Sequence, residues 1–125
     1  IGIQSHSYGK GIESPSYDSF NVLIESNAFI NIDGPAVKAT SARDVGIFDN
    51  FVHVGSGIKA ASQPTVLLSN ANDIQMDGLD IHDLNPATYA AVHIMETVPS
   101  APGAVTITNL STELAIGSAE ILDER

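Results

Sequence analysis

Five residues of this chain carry groups suited to acid–base chemistry: Glu25, His53, Asp77, Asp80 and His82. An imidazole and a carboxylate within reach of one another can exchange a proton with a bound substrate. Two carboxyl groups held about 5–10 Å apart can cleave or transfer a glycosidic bond, one as acid and the other as its partner. Glu25 and Asp77 are the candidate pair of that kind. His53, Asp80 and His82, with Asn31 and Asp33 nearby, form the densest set of groups that titrate usefully. Each of these residues also has an ordinary reading, as an exposed polar side chain on an acid-rich chain.

A second set has the types that hold a ligand. Phe48, Tyr8, Tyr17 and Tyr89 can stack on the apolar face of a sugar ring. Lys38, Lys59 and His93, with Glu13, would form a local basic strip able to hold a sugar acid or phosphate. The same residues would equally make a solvated ladder with their stems packed flat. Asn31 completes the expected substrate-binding set of Phe48, Lys38, Lys59, His93 and Asn31. The Asp73, Asp77, Asp80 and Asp83 series lacks the Asp-x-Asp spacing and glycine of a calcium loop. No metal site and no cofactor is expected. No phosphate loop or serine elbow appears.

These residues meet only if a repeating element positions them. The chain reads twice over Val22–Ala60, as VLIESNAFINIDGPAVKA and then VGIFDNFVHVGSGIKA. Each copy has three short apolar runs separated by Asn, Asp and Gly. Runs of this length with period-2 alternation are strand-like, and the polar residues between them mark turns. Glycine recurs and no helical apolar spacing is sustained, which disfavours long helices. A unit of twenty-odd residues cannot bury its apolar face alone and must stack on its neighbours.

The expected fold is therefore all-β: a right-handed, single-stranded parallel β-helix of about four to five coils. Residues 1–125 would form one domain, a segment of a larger solenoid or a unit that assembles into one. Inward ladders should be Val22/Val45/Ile74/Val105 and Ile24/Ile47/Met76/Ile107. Two others should be Ile32/Val54/Ile81 and Ile12/Val37/Ile58/Val92. Outward, Asn31, His53 and Asp80 should share one sheet, with His82 at or just past its strand end. Glu13, Lys38, Lys59 and His93 should share another. Glu25 and Asp77 should lie two rungs apart, about 9.6 Å along the stack, with Phe48 beside them. Asn27 and Asn50 should stack as a turn-capping amide ladder.

The two copies resemble the parallel β-helix repeat of the pectate-lyase-like superfamily. That pattern has an apolar strand, a turn Asn (here Asn27 and Asn50), a second strand, a Gly turn and then a short apolar run. The resemblance covers roughly residues 10–110. It implies a carbohydrate-active protein: a polysaccharide lyase, a glycoside hydrolase or a glycosyl or fructosyl transferase. The competing reading is a non-catalytic carbohydrate-binding or structural module of the tailspike or adhesin kind. It also implies a secreted, extracellular or virion-surface location. The chain has no Gly-His-Gly, no adjacent Asp-Asp and no Arg-x-Lys of the polygalacturonase sort, so no subfamily is assigned.

Composition narrows the partners. Fifteen acidic residues face five basic ones, a net charge of −10. Such a surface repels phosphate backbones and anionic membranes, so neither nucleic acid nor membrane is expected as a partner. The expected partner is a polysaccharide or oligosaccharide. Unpaired strand edges at the ends of a short stack also predict homo-oligomerisation, as a trimer by analogy with larger members of the fold, or contact with further coils. The chain has no cysteine, which excludes disulfides and thiolate metal sites.

Overall fold

Short alternating Val and Ile runs pack well on a pleated surface, and the computed structural model builds strands from them. It describes residues 3–5, 19–59 and 61–125, and among these it is all-β with no helix. In chain order the strands are β1 (Ile3–Ser5), β2 (Ser19–Glu25), β3 (Ala28–Ile30), β4 (Val37–Phe48), β5 (Phe51–Val54) and β6 (Val66–Asp77). They continue as β7 (Asp80–Asp83), β8 (Ala90–Ile94), β9 (Val105–Thr108), β10 (Ser111–Leu114) and β11 (Ala119–Asp123). One sheet runs β1-β4-β6-β8-β11, with β2 also on β4 and β9 also on β6; the other runs β10-β7-β5-β3. Every strand pairing is parallel.

The chain returns to the same sheets at intervals. Val22 pairs with Val45, 23 positions on. Val45 pairs with Ile74, 29 on, and Ile74 with Val105, 31 on. Val22/Val45/Ile74/Val105 and Ile24/Ile47/Met76/Ile107 are therefore rows, as the repeat predicts. Val45, Ile47, Ile74 and Met76 are almost wholly buried. Burying each such side chain contributes about 1.5–3 kcal/mol, which fixes the register, since a one-residue slip would turn them all outward.

β4 and β6 are each twelve residues long, and each is bent. Val37–Ala39 pairs with β1, whereas Ala42–Phe48 pairs with β2. The bends fall at residues with positive φ: Ser41 and Asp44 in β4, Asn70 and Asp73 in β6. All nine non-glycine residues with positive φ among the described residues are Asn, Asp or Ser. A left-handed backbone costs a typical L-residue roughly 1–2 kcal/mol, and short polar side chains bear it best. These corners recur in rows. Asn21, Asp44 and Asp73 precede paired positions, and Ser26, Asp49, Gly78 and Asn109 follow them.

Two expected ladders are corrected. Ile58 does not stack on Val37; Val37 pairs with Val66, and Val66 with Val92. Gly55–Lys59 is a turn with Gly57 at φ 87 and Ile58 left exposed, while Val66 and Leu68 are fully buried. The Val66–Leu68 run buries two large side chains where the Gly-Ile-Lys run would have buried one. Likewise, Ile32/Val54/Ile81 is not a row. Val52 pairs with Ile81, Val54 with Asp83, and Ile32 lies outside the strands. Ile12, Glu13, Tyr8 and Tyr17 lie outside the described residues, so their expected places are not addressed.

The Asn27–Asn50 amide stack forms. Asn50 Oδ1 accepts from Asn27 N at 3.0 Å and from Asn27 Nδ2 at 3.1 Å, and Asn50 Nδ2 donates to the Ile24 carbonyl at 2.9 Å. Asn109 belongs to the neighbouring corner row, and its Nδ2 donates to Asp77 Oδ1 at 2.8 Å.

Candidate functional site

Alternation along β2, β4, β6 and β9 points every second residue outward. The outward rows are Leu23/Gly46/Gln75/Thr106 and Glu25/Phe48/Asp77/Thr108. Glu25 and Asp77 thus flank Phe48 one rung to either side, as the spacing predicts. Gly46 interrupts its row. A Cβ there would lie 2.5 Å from Phe48 Cε2 and 3.3 Å from Leu23 Cδ1, so the Phe48 ring occupies the place a side chain would have taken. The result is a recess of roughly 270 Å³ lined by Leu23, Asp44, Gly46, Phe48, Asp73 and Gln75. Its walls combine an aromatic ring, an apolar chain, an amide and two carboxylates.

Asp77 is held ionised. Hydrogen bonds from Asn109 and Thr108 keep its carboxyl below the usual range against a small opposing effect of burial. It is suited to stabilising positive charge and unsuited to donating a proton near neutrality.

The second outward face belongs to β3, β5, β7 and β10. Its rows are Ala28/Phe51/Asp80/Ser111 and Ile30/His53/His82/Glu113. His53 and His82 are therefore direct cross-strand neighbours, and Asp80 sits in the row beside them. His53 and Asp80 lie on strands of this one sheet, whereas Asn31 falls just past β3 and His82 lies within β7 rather than at or past its end. Asn31 is an exposed corner residue at φ 53 whose Oδ1 accepts from Gly55 N at 3.1 Å. His82 Nδ1 lies 2.9 Å from Glu113 Oε2, and its Nε2 lies 3.4 Å from Asp80 Oδ1. The second contact is an ion-pair approach rather than a directed hydrogen bond, and Asp80 Oδ1 is otherwise unpartnered and shielded from solvent. The Phe51 ring centroid is 5.9 Å from that of His82 and 6.4 Å from that of His53, the latter stacked at 16°. Phe51 and Glu113 were not among the predicted site residues. Counting the alternation back from His53 puts Phe51 outward, a signal present in the sequence.

The expected strip of Lys38, Lys59 and His93 does not assemble. Lys38 pairs with Leu67, and Leu67 with His93. Lys59 is buried, with its Nζ 2.8 Å from Asp83 Oδ2 and 2.8 Å from Thr88 Oγ1. Both side chains of this ion pair are completely shielded. Asp83 Oδ2 also accepts from Thr65 Oγ1 at 2.9 Å, and its Oδ1 accepts from Asn85 N at 3.2 Å. Asp83 points inward because it keeps the parity of Ile81, and the ammonium compensates the buried charge.

His93 is also mostly buried. Tyr89 Oη lies 2.7 Å from its Nδ1, and Glu124 Oε2 lies 3.1 Å from its Nε2. With the ring neutral and its proton on Nε2, the Tyr89 hydroxyl donates to Nδ1. Burial, then the Glu124 charge, pushes the Tyr89 hydroxyl above the usual phenol range. Tyr89 thus braces His93 at the β8–β11 junction.

No grouping of His, Asp and Glu among the described residues has the geometry to hold a metal ion. Compared with protein-family models, curated proteins and solved structures, the chain matches none.

Proposed function

We propose that this chain is a parallel β-helix that binds a polysaccharide on its outward faces and processes it by lyase, hydrolase or glycosyl-transfer chemistry. The observation that carries the reading is the Phe48 ring, which folds over Gly46 to wall a recess, with Glu25 and Asp77 at the register positions one rung to either side of Phe48. An aromatic ring offers a platform for the apolar face of a sugar, and adjacent carboxylates and the Gln75 amide take its hydroxyls. The return of the chain to the same parallel rows every 23 to 31 residues favours the β-helix.

In the hydrolytic reading, Glu25 donates its proton to the leaving-group oxygen as the glycosidic C–O bond breaks, and the Asp77 carboxylate takes a proton from the water that attacks the sugar carbon from the opposite face. Their backbone separation of about 9.6 Å lies just above the roughly 6.5–9.5 Å between the carboxyls of an inverting pair, and a lean of the two side chains toward each other would bring them within it. His82, between Asp80 and Glu113, is the alternative acid–base group.

A non-catalytic module is the second reading. β9, β10 and β11 each have a strand partner on one side only among the described residues, and such edges favour association with another copy or further strands. Calorimetry and product analysis over a glycan panel separate the two. Phe48→Ala should abolish binding under either. Glu25→Gln and Asp77→Asn should lower turnover at least ~100-fold in an enzyme and leave binding detectable. Undiminished glycan binding by Phe48→Ala refutes the recess as the site.

A further inference from the structure

The recess is electrostatically one-sided. Asp44 and Asp73 line it from successive corners, each immediately before the paired residues Val45 and Ile74. That places their backbones about one rung, 4.8 Å, apart. Both have φ 53, so both are fixed in the same turn geometry. Like charges at neighbouring positions repel. Glu25 and Asp77 flank Phe48 along the next outward row, and Asp49 occupies the following corner.

Among the described residues, few positive charges offset these. Arg43 approaches Asp44 at 4.0 Å. Lys59 is locked inside on Asp83, and Arg125 is paired with Asp123 at 2.8 Å. Lys38 belongs to the β1-facing half of β4, away from the recess-lining Gly46–Phe48 half. Any ligand ring stacked on Phe48 therefore meets carboxylates on two sides.

We propose that the recess selects amino sugars in their cationic form and rejects uronic acids. The inference rests on the carbohydrate reading above and names the substrate class of that same site. A ring ammonium would sit between Asp44 and Asp73, relieving their repulsion while its ring stacks on Phe48. A ring carboxylate in the same place would add a further like charge beside the two solvent-exposed carboxylates. Neutral glycans fall between the two.

The test is calorimetric titration with three hexasaccharides of similar length: glucosamine, glucose and galacturonate oligomers. It is run at mildly acidic pH, where the amines are protonated, and at about 0.02 M and 0.3 M ionic strength. The glucosamine oligomer should bind about tenfold tighter than the glucose oligomer, and the galacturonate oligomer weakest of all. The preference should shrink at the higher ionic strength. Asp44→Asn/Asp73→Asn keeps side chains that tolerate the left-handed backbone and should bring the glucosamine and glucose affinities together. Galacturonate binding as tight as glucose, or a glucosamine preference that survives the double substitution, overturns the inference and leaves the carbohydrate reading standing. Binding by none of the three overturns both.

Discussion

Lys59→Met puts a number on the ion pair that ties the Gly55–Thr65 excursion to β7. In the wild type, the Lys59 ammonium touches Asp83 Oδ2 and Thr88 Oγ1, each at 2.8 Å, with neither charged side chain open to solvent. Removing it leaves the Asp83 carboxylate buried with only the Thr65 hydroxyl and the Asn85 amide as donors. Breaking a buried pair by deleting one partner costs about 3–5 kcal/mol, because the remaining charge is uncompensated. A domain of this size has about 5–15 kcal/mol in all. With a urea dependence of about 2 kcal/mol per molar, the unfolding midpoint should fall by about 2 M. Lys59→Met/Asp83→Leu removes the stranded charge and should be more stable than the single variant. A residual deficit, about 1 kcal/mol for each hydrogen bond lost by Thr65, Asn85 and Thr88, should remain. A single variant within 1 kcal/mol of wild type, or a double variant no better than the single, would refute the buried-pair argument.

Other substitutions probe the recess and the corners. Gly46→Ala places a methyl where the Phe48 ring edge lies, at 2.5 Å; the ring can swing outward, so stability should change by no more than about 1 kcal/mol while glycan affinity falls at least tenfold by calorimetry. Gly78→Ala forces a side chain into a position at φ 70 packed against Asp49 and should cost about 1–3 kcal/mol in urea unfolding. Asn109→Gly keeps the left-handed corner available and deletes the leading cause of the lowered Asp77 pKa. The Asp77 carboxyl should then titrate closer to the ordinary aspartate value of 3.8 in a carbon-detected NMR titration. Because the folded-state pKa of Asp77 is depressed, its contribution to stability is present above the unfolded pKa and disappears as pH falls through the folded one. The variant should lack the Asn109 share of that contribution, so its acid unfolding should begin at higher pH.

Part of the arrangement was legible because it depends only on local chemistry. Period-2 runs of Val and Ile marked β2, β4, β6 and β9, and aligning the duplication gave their rows correctly, including the Glu25/Phe48/Asp77 row. Asn27 and Asn50 were legible as an amide stack because both follow an apolar strand at the same distance. The third stretch of the second repeat misled. Gly57–Lys59 looks like Ala36–Lys38 by alignment, but Val66–Leu68 buries more apolar surface and wins the position beside Val37. Lys59, aligned with Lys38 on an outward strip, consequently turned inward. The parity of Asp80-Ile81-His82-Asp83 already placed Asp83 inside and so called for a cation, although not for a particular one.

By itself the sequence determined strand character, the repeat and the outward set around Phe48, since alternation and turn chemistry act over a few residues and need no knowledge of the rest. Only the tertiary structure decided which run closes each repeat, that Lys59 neutralises Asp83, that His53 faces His82, and that Asp44 and Asp73 share one recess. Those outcomes come from competition among segments 20 to 30 residues apart for the same buried positions. The winner is set by total area and charge compensation across the assembled sheets, quantities no local pattern contains.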